Sequence, residues 1–281
     1  MTGATCRIAV VAPSTRLSPD VVGKVQAVAA ARFPDRPPEI VFHPQCFASA
    51  GHFAGDDATR AAAFLEAAND AAVDAVWFAR GGYGAGRLAE LVLPRLEAQA
   101  RRKIYLGYSD AGALLGALYG AQFAGLAHGP MAQDVLRDGG EAAIERALAW
   151  IVDRDPAALE PGLRAGRKAA AFNLATLSSI VGTPFQPDLS GHELLLEEVS
   201  EHTYRIDRYL LHITSNPDIR KVAGLRLGRC SDVPDNDPAF GETEEQVAQY
   251  WCQRSGVAWL GRADIGHDAG NKVVPFGDPA G

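Results

Sequence analysis

The chain has 281 residues, of which 47% are apolar and 22% charged, with a formal net charge of −7 and a pI near 5.5. That is long enough for one large or two ordinary domains with their own cores, and the acidic balance argues against nucleic acid or an anionic membrane surface and for a small-molecule or peptide partner. Cys6, Cys46, Cys230 and Cys252 are scattered without a C-x-x-C spacing, so no zinc or dithiol site is indicated and neither a metal nor a cofactor is expected. No stretch approaches the roughly 20 apolar residues of a membrane span. The N-terminus passes directly into the strand-like run Arg7 to Ala12 instead of a signal peptide, and a cytoplasmic protein is expected.

The first half alternates strand-like and helical patterns. A strand at Ile8 to Val11 is followed by a helix near Asp20 to Arg32 and a strand at Glu39 to Phe42. A helix opened by Asp56-Asp57-Ala58-Thr59 then feeds the run Ala75 to Ala79. This βαβαβ order predicts a parallel sheet covered by helices, with ligands bound beyond the carboxyl ends of its strands. Two successive strand ends carry unusual loops: Arg80-Gly81-Gly82-Tyr83-Gly84-Ala85-Gly86-Arg87, and the turn Gly107-Tyr108-Ser109-Asp110 after a strand at Lys103 to Leu106. They are expected side by side. From Asp134 to Lys168 the alternation lapses, and the later half offers short strand candidates at His192 to Val199, Ala223 to Leu227, Val257 to Leu260 and Lys272 to Val274, with a helix around Ile206 to Ile213. The expected division is an α/β domain over 1–140, a helix and linker over 141–167, and a smaller, β-rich domain over 168–281.

Beyond Ser109 the apolar positions Ala111, Leu114, Leu115 and Leu118 fall on one helix face. Strand, sharp turn and helix with a serine at the corner is the geometry of a nucleophile elbow, although Ala111 stands where G-x-S-x-G has its second glycine. The alternative is that Ser109 only N-caps the helix. The Gly-rich loop fails both G-x-G-x-x-G and the P-loop pattern, so a dinucleotide or triphosphate site is not expected. Its glycines permit the close backbone approach that an oxyanion hole or carboxylate nest needs; the alternative is a flexible turn. For a base, His128 and His267 are both placed in Gly-flanked turns near a strand end, and spacing does not choose between them. Glu197 or Glu198, after Leu194-Leu195-Leu196, is the carboxylate candidate that would orient the imidazole.

Taken together, Arg80-Gly81-Gly82-Tyr83-Gly84, Gly107-Tyr108-Ser109-Asp110, His128-Gly129-Pro130, Gly182-Thr183-Pro184, Leu196-Glu197-Glu198-Val199, Tyr204-Arg205-Ile206-Asp207-Arg208 and Gly266-His267 resemble, in this order, the L,D-carboxypeptidases of the LdcA/MccF type, over nearly the whole chain. The resemblance implies a flavodoxin- or Rossmann-like α/β domain plus a β-rich domain. It implies a Ser-Glu-His triad of Ser109, Glu197 and His267, so that it selects His267 over His128. The backbone N–H groups of Asp110 and Gly82 become the oxyanion donors, and Arg80 and Tyr83 the substrate-binding candidates. The implied substrate is a murein tetrapeptide cut at its terminal D-Ala during cell-wall recycling, by a homodimer in the cytoplasm. Two stretches depart from the family pattern: Ala171-Phe172-Asn173-Leu174 stands where Gly-Gly-Asn-Leu is usual, and Asp268 to Asn271 where a Pro-Met pair is. Two other functions remain open on the sequence. One is hydrolysis of microcin C-like peptidyl-nucleotides, for which Trp251 could supply a stacking aromatic; the other is a peptide-binding protein with an unused triad.

Overall fold

In the computed structural model, which describes residues 5–280, the chain builds two parallel-stranded sheets and packs them against a shared core. The first is made from β1 (Arg7–Val11), β2 (Glu39–Phe42), β3 (Ala75–Phe78), β4 (Ile104–Gly107) and β5 (Leu126–His128), all parallel in the spatial order β2-β1-β3-β4-β5. Helices α1 (Asp20–Arg32), α2 (Asp57–Asn69), the short α3 (Ala89–Val92), α4 (Ala111–Gly120) and α5 (Gly140–Leu148) cover its faces. The continuous apolar runs are those of strands buried on both sides: all four residues of β3, including Trp77, are buried. The Asp56 carboxylate accepts the Thr59 N–H at 2.7 Å and so starts α2 where the sequence places its cap.

The strand order reverses between β1 and β3, and at such a switch point the loops at the carboxyl ends part and leave a crevice. Here those loops are Pro13–Thr15 after β1 and the Gly-rich turn after β3. The turn after β4 lies next to them, because β3 pairs directly with β4 through Trp77 and Leu106.

The second sheet, β6 (Ala169–Asn173), β7 (Glu193–Val199), β8 (Gly224–Ser231) and β9 (Trp259–Arg262), is also parallel. Its crossovers are α6 (Leu174–Ile180), α7 (Thr203–Ser215) and α8 (Glu244–Ser255). The chain then returns to the first sheet as β10 (Val274–Pro275), antiparallel to β5.

Helix α4 differs from its sequence pattern in an instructive way. The predicted single apolar face is Ala111, Leu114, Leu115 and Leu118, yet every residue from Ala111 to Leu118 is buried. A helix apolar all round is a helix enclosed on all sides. Helix α4 lies between its own sheet and α6, and its leucines share one core with Phe172, Leu177, Leu196, Ile206 and Leu210. At about 1.5–3 kcal/mol for each fully buried large side chain, that shared core fixes the second sheet against the helix that begins at the Ser109 turn.

Candidate active site

Ser109 sits at the corner between β4 and α4 with φ +58°, a left-handed backbone that side chains other than glycine rarely adopt. The helix itself begins after it: Asp110 is the N-cap residue, with φ −55°. Ser109 is therefore not the cap; it is the strained corner that aims its hydroxyl out of the sheet edge. Around it the backbone is crowded. A β-carbon on Gly81 would lie 2.8 Å from Ser109 Oγ, and Gly82 has φ +116°, so the turn after β3 can pass this close to the serine only as Gly-Gly.

The turn is held from three sides. Thr15 Oγ1 donates to the Gly81 carbonyl at 2.6 Å. The Asp110 carboxylate accepts the Ala85 N–H at 2.8 Å and the Ser14 hydroxyl. Arg60, fully buried, donates to the Gly84 carbonyl at 2.9 Å and to that of Pro13. Burial raises the Asp110 carboxyl above its usual range, although both of its hydrogen bonds favour the charge. Neither the Asp110 N–H nor the Gly82 N–H donates to a backbone carbonyl among the described residues.

His267 lies in the segment between β9 and β10. Its Nε2 is 3.0 Å from Ser109 Oγ, and its Nδ1 contacts Glu197 Oε2. Burial opposes a charge on this ring, but the adjacent Glu197 carboxylate outweighs it, and the pKa is raised above the usual imidazole value. The ring packs against Tyr108 with centroids 4.8 Å apart and planes tilted by 56°. Its loop is fastened by Arg229, which pairs with Asp264 at 2.6 Å and with Asp268. Arg146 adds donors to the carbonyls of Ala269 and Asn271 at 2.9 and 3.0 Å.

Strand alternation explains which of the two glutamates meets the histidine. Glu197 follows the face of Leu195, which packs on Ile265 two residues before His267. Glu198 follows the face of Leu194 and Leu196, toward the helices. It accepts from Asn173 Nδ2 at 2.6 Å and from the Ala175 and Val199 N–H groups at 2.9 Å each, and burial pushes its carboxyl up to about 7. Glu198 thus ties the start of α6 to β7. Its partner Asn173, from one of the two stretches that depart from the family pattern, lines the cleft beside Ser109.

The remaining candidates separate. His128 is buried, bonded through Nε2 to Asn271 Oδ1 at 3.1 Å, and pushed down to about 4 by burial; it supports the His267 loop and does not face the serine. Tyr83 lines the cleft with its ring largely exposed. Arg80 lies apart from that cleft. Its guanidinium donates to the Arg16 carbonyl at 3.3 Å, and it borders a separate depression formed by Arg16, Leu17 and Phe47. The turn points residues 80 and 87 in different directions, and the one that lines the cleft beside Ser109 is Arg87. Trp251 lies on α8, its indole N–H bonded to Asp207 at 2.7 Å, and is not among the residues of that cleft.

A serine at a strained strand-to-helix corner, with an imidazole in reach and a buried carboxylate behind it, is the arrangement of a serine hydrolase. Residues 8–129 match the LD-carboxypeptidase N-terminal domain and residues 168–281 the LD-carboxypeptidase C-terminal domain; the chain belongs to this family, the S66 peptidases, and is a serine-type carboxypeptidase. Among curated relatives, a Streptomyces coelicolor protein provisionally named a carboxypeptidase is 35% identical over 243 residues, 82% of this chain and 75% of that one. The murein tetrapeptide carboxypeptidase of Pseudomonas aeruginosa is 29% identical over 225 residues, 74% of this chain and 72% of that one. Among solved structures, muramoyltetrapeptide carboxypeptidase from Oxalobacter formigenes superposes with a TM-score of 0.79 at 25% identity, covering 96% of this chain and 93% of its own. MccF in complex with glutamyl sulfamoyl guanosine reaches the same TM-score at 16% identity over 98% of this chain and 92% of its own, a likeness of fold.

Proposed function

We propose that this chain releases the terminal D-Ala of murein tetrapeptides by cutting an L,D amide bond through an acyl-enzyme. The observation that carries the reading is the line of contacts from Ser109 Oγ to His267 Nε2, at 3.0 Å, and on from His267 Nδ1 to Glu197. The names of the Pseudomonas and Oxalobacter relatives supply the substrate class.

Ser109 Oγ attacks the scissile carbonyl carbon while its proton passes to His267 Nε2. Glu197 holds the ring in the required orientation and stabilises the imidazolium. The oxyanion is received by the N–H groups of Asp110 and Gly82, one at the helix start and one on the Gly-rich turn. Collapse breaks the C–N bond, His267 returns the proton to the departing D-Ala amine, and water repeats the sequence on the ester. In this reading the division of labour follows the sequence: residues 1–140 bring the nucleophile and oxyanion donors, 141–167 connect, and 168–281 bring the acid and base. The reading extends to a cytoplasmic homodimer that serves wall recycling.

The test is D-Ala release from a murein tetrapeptide by the purified protein, with Ser109→Ala alongside. Release that disappears in the variant supports the reading. Release that persists in the variant overturns the nucleophile, and no release by the wild type overturns the substrate.

A further inference from the structure

The cleft beside Ser109 encloses about 520 Å³ between the turn ending at Arg87 and the segment from Asn173 to Phe185. Arg87 is the one cation among the described residues that line it. Its Nε and Nη2 lie 2.9 and 2.7 Å from the same oxygen of Asp57, and its guanidinium sits 4.9 Å from the centroid of the Phe53 ring. These contacts orient the group without neutralising it, because Asp57 also pairs with Arg60. Two guanidiniums share the Asp57 carboxylate, and the other acid near Arg60 is Asp110, whose charge burial disfavours. Arg60 is sealed from solvent, whereas the Arg87 side chain is 47% exposed, so of the two guanidiniums Arg87 is the one a ligand in the cleft can reach. On the opposite wall Glu198 is occupied by its three donors.

We propose that Arg87 receives the C-terminal carboxylate of the residue that leaves, and so restricts the cleft to peptides with a free C-terminus. The inference rests on the carboxypeptidase reading of the site. It adds a residue for specificity. In an exopeptidase substrate the terminal carboxylate stands at a short, fixed distance from the scissile carbonyl. One short segment, anchored at Gly81, Gly84 and Ala85, carries Gly82 at one end and Arg87 at the other, and so holds the proposed oxyanion donor and the guanidinium in one piece of chain. A planar guanidinium held by its neighbours loses little freedom on meeting a carboxylate and can meet it with paired donors.

The test uses Ser109→Ala, which holds peptide without turnover. Titration calorimetry compares an N-acetylated peptide ending in an L,D bond to D-Ala with the same peptide as its C-terminal amide. The free acid is expected to bind about 10- to 100-fold more tightly, and adding Arg87→Gln to bring the two within about threefold. Arg87→Lys, which keeps the charge and loses the fork, should retain part of the preference. Acid bound no more tightly than amide overturns the proposal, and so does a preference that survives Arg87→Gln, which would move the role to Arg137 beside Tyr108. D-Ala release by the wild type is scored separately. Release without an acid preference overturns Arg87 and leaves the proposed function, while an acid preference without release does the reverse.

Discussion

The Asp110 carboxylate accepts the Ala85 N–H at 2.8 Å, so the residue next to Ser109 holds the Gly-rich turn with its own side chain. The backbone N–H of Asp110 and that of Gly82 are the two proposed oxyanion donors, and this contact helps to hold the turn that carries the second near the first. Asp110→Ala keeps both N–H groups and removes one of the three anchors of the turn, leaving those of Thr15 and Arg60. A misplacement of about 1 Å can lower a rate on the order of 10²-fold, and a fall of that size in kcat is expected, with a smaller change in KM. Labelling of Ser109 by a fluorophosphonate should slow in parallel. A kcat within twofold of wild type would show that the turn keeps its place without Asp110.

Ser109 carries a left-handed backbone at φ +58°, which costs a residue with a β-carbon about 1–2 kcal/mol. At an ordinary position glycine is less stable than alanine by roughly 0.5–1 kcal/mol; at 109 the order should reverse. Ser109→Gly is expected to be about 1 kcal/mol more stable than Ser109→Ala in urea unfolding, with D-Ala release lost in both. An alanine variant at least as stable as the glycine one would mean that the corner stores no strain.

Much of this site was legible because its signals are local. The elbow is one strand, one turn and one helix in succession, and the first sheet announces itself by apolar runs alternating with helical patterns. What escaped depended on distance or direction. Strand β6 reads Ala-Ala-Ala-Phe-Asn, poor in the side chains that favour strands, and becomes one because β7 pairs beside it. The strand candidate at Lys272 to Val274 overlaps β10, but its antiparallel pairing with β5, well over a hundred residues earlier in the chain, is not written in the sequence. That Arg80 turns toward the Arg16 carbonyl while Arg87 lines the cleft was not legible, because a glycine turn does not fix in sequence where its flanking side chains point. The residues alone left His128 and His267 open as bases, and here a separation of 158 residues from Ser109 is closed by two sheets sharing one core.

In the proposed mechanism the pH dependence of the reaction follows from His267. Only the neutral imidazole can take the Ser109 proton, and the Glu197 carboxylate favours the imidazolium, raising the pKa. The protonated, inactive form therefore persists to higher pH, and kcat/KM should rise through a limb whose midpoint lies above about 6.5, the ordinary imidazole value. Glu197→Gln removes the charge, so the limb should move to lower pH while kcat falls by about 10³- to 10⁴-fold. His128 titrates near 4 and adds no limb in the neutral range. A limb that stays in place in Glu197→Gln would assign it to another group.

Glu160 and Arg226 form a buried, two-pronged ion pair at 2.8 and 2.7 Å, and Glu160 also accepts the Asp264 N–H at 3.1 Å, three residues before His267. Removing one member of a buried pair strands the other charge, a loss of about 3–5 kcal/mol, and Glu160→Ala should show it in urea unfolding. Replacing both members, Glu160→Leu with Arg226→Met, leaves no charge to strand and should recover most of the stability. It does not restore the acceptor for Asp264, so the His267 loop loses an anchor that the repacked core cannot supply. The double variant is therefore expected to fold nearly as stably as wild type and yet turn over peptide more slowly, with KM little changed. Full recovery of both stability and kcat would confine the pair to holding the linker against the second sheet, with no part in placing the histidine.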